Sequence, residues 1–151
     1  MEYLVSVKKK IEHFCAYQER CHYDVNNKLN KLGVYGDQVD EYICYLIDEN
    51  FLSETRYSKS YVRGKFNNNN WGRIKIIKEL KSRNISEWNI NNALEKIDNT
   101  EYEKKLNKIC EKQIKQTSGS SFEVRNKIIR RLTQKGWEAD LIFKCLNRLV
   151  K

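Results

Sequence analysis

The sequence predicts an all-α fold made of three tandem three-helix, helix-turn-helix-like repeats in an elongated, curved arrangement. The first observation behind this is a set of aligned apolar columns spaced by about fifty residues. Around the anchors Leu29, Leu80 and Leu132, apolar residues recur eighteen residues before (Ile11, Val62, Ile114) and four before (Val25, Ile76, Ile128). They recur again five after (Val34, Ile85, Trp137), ten after (Val39, Ile90, Ile142), fourteen after (Ile43, Leu94, Leu146) and seventeen after (Leu46, Ile97, Leu149). A fixed period of this size means one supersecondary unit used three times. The second observation is apolar spacing of i, i+3, i+4, i+7, as in Ile90, Ala93, Leu94 and Ile97, with no period-two stretch and no proline in the chain. The third is a shared terminator. Gly33, Asn84 and Gly136 each follow their anchor leucine by four residues, where a helix end favours positive φ.

The elements follow from these signals in order. First helices are expected over about 2–19, 53–66 and 101–117, and second helices over about 22–32, 70–83 and 122–135. Third helices are expected over about 37–49, 87–97 and 139–150. Thr100-Glu101-Tyr102-Glu103 and Ser120-Ser121-Phe122-Glu123 read as capping boxes, and Asp37 and Ser86 as N-caps. Asn67-Asn68-Asn69-Asn70 and the run from Gln116 to Ser121 read as flexible polar joints. Residues 1–151 are therefore expected to form a single elongated repeat domain, with repeats at about 2–50, 51–99 and 100–151. Stacked repeats of this kind favour an extended binding surface over a deep pocket.

Composition limits the function. Of 151 residues, 32% are charged, and the mean hydropathy is −0.79. The longest apolar run, Tyr42–Ile47, is far short of the roughly 20 residues a membrane helix needs. The start MEYLVSVKKKIEHF has no apolar core region and no small-residue cleavage site. Five cysteines without an export signal point to reduced thiols in a cytoplasm, and three of the five fall on apolar helix faces. The net charge is +9, yet Asp37–Glu54 holds six acids and no base, so the remaining sequence is more basic still. A polyanionic partner, an acidic protein surface, or both fit that distribution, and so does a charge that merely solubilises.

Chemistry-bearing constellations are weak. His13, Cys15, Cys21 and His22 lie close in sequence, but His-x-Cys points to two sides of a helix and no C-x-x-C occurs, so no metal is expected. Both histidines lie within ten residues of each other, serines fall in caps and joints, and no glycine-rich phosphate loop exists. An enzyme is not expected, nor a cofactor.

The basic clusters say more. The second helix of repeat two presents Arg73, Lys75, Lys78 and Lys81 outside its apolar stripe. Its counterpart in repeat three carries Arg125, Lys127, Arg130, Arg131 and Lys135, and Arg63 and Lys65 end the preceding helix. Such long cations reach phosphates or carboxylates, and they also occur on ordinary solvated faces. Trp71 opens a helix, where packing as a cap is favoured over base stacking, and Trp88 and Trp137 read as structural. A basic three-helix unit also fits helix-turn-helix DNA binding, but the base-reading set of Arg, Asn and Gln at one helix N-terminus is not clearly present.

Residues Leu52-Ser53-Glu54-Thr55-Arg56-Tyr57-Ser58 resemble the L-D-[DE]-x-R-[FY]-A segment of the RecX family of bacterial recombinase regulators. Trp71-Gly72 followed by Ile76 and Glu79-Leu80 resembles that family's aromatic-Gly…I-x-x-E-L segment. Asn84-Ile85 stands where it has Gly-Ile, and Glu19-Arg20-Cys21 resembles its R-E-R-S turn. Ser53 departs from the usual acid and Cys21 from the usual serine. The resemblance covers essentially the whole chain and is most specific in repeat two. It implies a cytoplasmic, monomeric, non-catalytic regulator of homologous recombination and DNA repair, within the SOS response. Such a protein would bind the RecA recombinase filament and inhibit its extension, ATPase and strand exchange. Together with the basic clusters it marks Arg56, Arg63, Lys65, Arg73, Lys75, Lys78, Arg125, Lys127, Arg130 and Arg131 as partner-facing. The alternative is a basic helical protein that binds DNA phosphates without a recombinase.

Overall fold

The computed structural model describes residues 2–150, with side chains from Ser6 onward, and every regular element among them is helical. Repeat one supplies α1 (Glu2–Tyr17), α2 (His22–Lys31) and α3 (Asp37–Asp48). Repeat two supplies α4 (Glu54–Asn69), α5 (Arg73–Ser82) and α6 (Glu87–Leu94). Repeat three supplies α7 (Asn99–Gln116), α8 (Ser121–Gln134) and α9 (Ala139–Leu149). The aligned apolar residues form the interior: all are buried except Ile43, Leu94, Ile114 and Leu149, which are half-buried.

The geometry at the end of each second helix explains two of those columns. The chain turns at Gly33 (φ 87°), Asn84 (φ 58°) and Gly136 (φ 91°). Each time, the next residue's N–H bonds back to the anchor leucine: Val34 to Leu29 O (2.9 Å), Ile85 to Leu80 O (3.1 Å), Trp137 to Leu132 O (3.1 Å). The turn residue itself bonds to Asn30, Lys81 or Thr133. This is the Schellman closure in three copies, and its usual apolar contact joins the anchor column to the column five residues later.

Other ends differ from expectation. Asn67–Asn69 belong to α4 and do not form a joint; the helix ends only at Asn70, which takes φ 59°. The carbonyls this end leaves without helical partners accept from Lys105 Nζ (Asn67 O, 3.2 Å), Lys135 Nζ (Asn69 O, 3.3 Å) and Trp137 Nε1 (Asn70 O, 2.9 Å). The cap of α7 is Asp98, accepting from Thr100 N at 3.2 Å, so Thr100 is already inside the helix. Gly36, at φ 64°, caps α3 in place of Asp37. Ser120 and Ser86 do cap α8 and α6, accepting from Glu123 N and Asn89 N.

The chain divides into two compact units. The first holds the residues up to Tyr61 together with Leu80–Ala93. Its core gathers Val7, Ile11, Cys15, Val25, Leu29, Val34, Val39, Leu46 and Leu52. The first turn of α4 bolts onto it. Ser53 Oγ accepts from Arg56 N (3.2 Å), and Glu54 Oε2 accepts from His22 N (3.1 Å), capping α2 from a helix 32 residues away. Arg56 donates to Glu19 Oε2 (2.7 Å), Asn50 Oδ1 (2.7 Å) and Asn50 O (3.0 Å). Tyr57 and Ser58 are buried, and the Ser58 hydroxyl donates to Glu54 O at 2.7 Å.

The second unit holds Val62–Glu79 and the residues from Leu94 on. Three rings form its centre: Tyr102 lies 4.5 Å from Trp137 and 5.9 Å from Phe66, centroid to centroid. The turn before α5 rests on the turn after α8, backbone on backbone. Gly72 N donates to Lys135 O (2.8 Å) and Ile74 N to Gly136 O (3.0 Å). A Cβ on Gly72 would fall 2.4 Å from Gly136 O, so only glycine allows this approach. Beside it, the Tyr102 hydroxyl accepts from Arg73 N (2.9 Å) and donates to Glu138. The Arg73 guanidinium lies 3.8 Å over the Tyr102 ring, pairs with Glu138 (3.6 Å) and donates to Asn99 Oδ1 (2.6 Å). Burial, then the Glu138 carboxylate, hold the Tyr102 phenol above its ordinary pKa.

Gly72→Ala should lower stability by about 1–3 kcal/mol, as for an overpacked core. Gly64→Ala, at a helical site where a Cβ meets nothing within 4 Å, should raise it by roughly 0.5–1 kcal/mol. Urea unfolding of both variants checks the pair. Tyr102→Phe should cost about 1–3 kcal/mol, because Glu138 and the Arg73 amide lose a buried partner. The raised phenol pKa favours the neutral ring in the folded state. Its contribution is thus complete below the ordinary tyrosine value of about 10 and is lost as pH rises above it. The Tyr102→Phe variant should lose less stability between pH 9 and roughly 11 than the parent, read by thermal melts across that range.

Candidate partner-binding surface

Nine of the ten cations marked from sequence lie in the second unit; Arg56 lies in the first. The structure sorts them by what already holds them. Arg56 and Arg73 are engaged within the fold through the bonds above, at side-chain exposures of 39% and 24%. They position helix ends before they can meet anything outside.

A second group is partly engaged. Lys65 and Lys75 place their ammonium groups 4.7 and 4.4 Å over the two-sided ring of Trp71. Trp71 is half-buried in the turn before α5, so it precedes that helix and packs against aliphatic and cationic stems. Arg125 donates to Asn147 Oδ1 and lies 6.0 Å over the Phe143 ring. Lys127 donates to Ser118 O (3.4 Å). Arg131, although exposed, donates to Gln113 Oε1 (2.8 Å) and Thr117 Oγ1 (2.9 Å). That contact ties α8 back to the end of α7 and constrains the Gln116–Ser121 joint.

Arg63, Lys78 and Arg130 form the third group. They are exposed, and none of them has a hydrogen-bond or ion-pair partner among the described residues. These three have all their donors available for an anionic surface.

One basic feature was missed in the sequence. Lys104, Lys108, Lys112 and Lys115 recur along α7 at i, i+4, i+8 and i+11, and all are exposed. Successive members of such a row stand roughly 6 Å apart. The spacing is visible in EKKLNKICEKQIKQ, on a first helix and not on the second helices that carry the other clusters. The first two members, with Lys105, line an open groove of about 430 Å³ between the end of α4 and the start of α7, which Asp98 and Glu101 also border. Burial depresses the Lys105 pKa, while Glu101 opposes that shift.

Two further placements correct expectation. Trp137 is buried as a structural residue should be, but Trp88 is 67% exposed on α6. Four cysteines are buried (Cys15, Cys21, Cys110 and Cys145), and only Cys44 is exposed. Among the described residues, no group of three His, Cys, Asp or Glu side chains converges as metal ligands would. No helix of the described chain is long and apolar enough to cross a membrane.

Known proteins supply a frame for this surface. Residues 53–94 match the second three-helix domain of RecX and residues 101–146 its third. The regulatory protein RecX of Oceanobacillus iheyensis is 26% identical over 138 residues, covering 91% of this chain and 51% of that protein. The Bacillus mycoides protein of the same name is 26% identical over 137 residues, again covering 51% of its length. The chain thus spans about half the length of these relatives. It spans 91% of the Pseudomonas savastanoi regulatory protein RecX, at 24% identity. The crystal structure of RecX from Lactobacillus salivarius superposes with a TM-score of 0.83 at 26% identity, covering 98% of this chain and 97% of that one. A second RecX crystal structure gives a TM-score of 0.85 over 97% of this chain and 73% of its own; at 20% identity it speaks for the fold alone. With both RecX domains matched across more than half of its residues, and with that helical architecture shared, this chain belongs to the RecX family.

Proposed function

We propose that this chain is a non-catalytic regulator that binds a RecA-type recombinase filament and lowers its extension, ATP hydrolysis and strand exchange. The observation that carries the reading is that all ten marked cations fall inside the two matched RecX domains. The chain's similarity to proteins named regulatory protein RecX supports the class of partner. In this reading Arg63, Lys78 and Arg130 make the primary contacts, because they are exposed and their side chains are unpaired among the described residues. Lys75, Lys127 and Arg131 add contacts after giving up weak exposed bonds. Several modest contacts on one unit add through effective concentration once the first has formed.

A DNA-binding role without a recombinase is the second reading, favoured by the exposed lysine row of α7. One measurement separates the two. Single-strand-dependent ATPase of a RecA recombinase should fall with well under one copy of this protein per recombinase monomer. Inhibition that begins only when the DNA is saturated assigns the effect to competition for phosphates, with a steep salt dependence. Combining Lys78→Glu with Arg130→Glu should raise the half-inhibiting concentration by about tenfold or more, equivalent to roughly 1.4 kcal/mol, with unchanged circular dichroism. Arg56→Ala and Arg73→Ala should act differently. Arg73→Ala should cost about 1–3 kcal/mol of stability, because half-buried Glu138 and buried Tyr102 lose its side chain, and Arg56→Ala about 0.5–1 kcal/mol, because its partners are more exposed. Inhibition per folded molecule should stay close to that of the parent, as measured well below the melting transition.

A further inference from the structure

We propose that the groove between the end of α4 and the start of α7 binds phosphate groups, with Lys104, Lys105 and Lys108 as its cationic donors. The inference stands apart from the recombinase reading above and is tested without a recombinase. The groove lies wholly within the second unit. Phe66 and Asn67 of α4 form one side of it, and Thr100, Glu101 and the three lysines of α7 form the other. Its volume of about 430 Å³ falls within the range of roughly 300–1,000 Å³ usual for small-ligand sites.

The lysines are arranged at a cost that the fold does not repay. Lys104 and Lys108 stand four residues apart on α7, and Lys105 and Lys108 three apart, so their side chains are neighbours. Like charges at those spacings destabilise a helix. Lys104 and Lys108 are exposed, and neither has a hydrogen-bond or ion-pair partner among the described residues. Lys105 is half-buried and held in place. Its ammonium lies 5.0 Å over the Phe66 ring and donates to Asn67 O at 3.2 Å. Phe66 belongs to the buried aromatic centre, which gives that ammonium a fixed seat. Two of its three N–H groups have no acceptor among the described residues. Burial and, less strongly, the Lys108 charge lower the Lys105 pKa, so this cation is under-compensated where it sits. An anion in the groove would supply the missing acceptors and offset the mutual repulsion of all three lysines.

The donor set selects phosphate over carboxylate. A phosphate ester carries up to about two negative charges and three strong acceptor oxygens. Three separate ammonium groups meet such a tetrahedral anion from different sides, whereas a planar carboxylate is best matched by an arginine fork. Two carboxylates also border the groove. Asp98 is already engaged as the cap of α7, accepting from Thr100 N at 3.2 Å. Glu101 is exposed and close enough to act on the Lys105 charge, so it moderates the attraction for an anion. It also gives the groove an acceptor for a hydroxyl or amine beside the phosphate, as a nucleotide would present. Beyond the groove, Lys112 and Lys115 continue the cationic line along α7, with exposed Glu111 beside them. The shared chemistry is therefore a phosphate ester or anhydride, free in solution or carried on a nucleic-acid strand.

The test is calorimetric titration of the full chain at low salt, with inorganic tripolyphosphate and, separately, with a short single-stranded oligothymidylate. Lys105→Gln combined with Lys108→Gln should weaken binding by about tenfold or more. Lys112→Gln combined with Lys115→Gln removes the same charge outside the groove and should weaken it by less than about threefold. Thermal melts check that each double variant is folded. If Lys105→Gln proves unstable, Lys104→Gln with Lys108→Gln replaces two exposed lysines of the groove and gives the same comparison. That contrast with tripolyphosphate supports the site and assigns it to free phosphate compounds. The contrast with oligothymidylate alone supports it and assigns the phosphates to a strand. Equal weakening by the groove variant and the outer variant with both probes would overturn the proposal, because the positive surface as a whole is then the attractor. Absence of binding by either probe would overturn it too, and would leave the recombinase reading standing.

Discussion

The backbone contact between Gly72 and the Lys135–Gly136 turn is the constraint on which the second unit depends. It brings two peptide groups to 2.8 Å where neither turn has room for a Cβ. Once that approach is made, the neighbouring groups have little choice. Lys135 reaches the last carbonyl of α4, Trp137 reaches that of Asn70 just beyond it, and Tyr102 meets the first free N–H of α5. Peptide groups at helix ends cannot be left dry and unbonded, and where no local closure serves them, as at the end of α4 and the start of α5, their partners come from elsewhere in the sequence. The first unit solves the same problem with Glu54 at the N-terminus of α2. In both units a side chain from a later repeat's first helix caps the preceding repeat's second helix.

This makes sense of which segments were legible in the sequence. The apolar columns and the Gly33, Asn84 and Gly136 terminators are one device, the Schellman closure, which acts within about six residues and so leaves a local signature. The Leu52–Ser58 segment was equally readable. Its side chains cap, pair or pack within the first unit, so its residue types are fixed by geometry. Asn67–Asn69 misled because local propensity favours a break there. The bonds that sustain the helix come from Lys105, Lys135 and Trp137, as many as 67 residues away, and no window along the chain contains them.

The candidate surface was less legible for a related physical reason. A lysine or arginine looks the same in sequence whether it caps a helix, covers an indole or stands in water. Arg73 and Lys78 lie on the same helix, yet one is held by Tyr102, Asn99 and Glu138 while the other is bound to nothing in the described chain. The difference is set by α7 and the start of α9, which the sequence around α5 does not encode. The α7 lysine row was encoded locally and could have been read from its helical spacing.

The unexpected exposure of Trp88 also gives each unit its own optical reporter. Trp88 belongs to the first unit and is 67% exposed, whereas Trp71 and Trp137 belong to the second, with the latter at 1%. Indole emission moves to longer wavelength in water and to shorter wavelength in an apolar surround. Iodide should therefore quench a red-emitting population that reports on repeats one and two around α6, and leave a blue one that senses the packing of Tyr102 and Phe66. Selective quenching can therefore separate the surface around α6 from the aromatic centre of the second unit, without adding a dye.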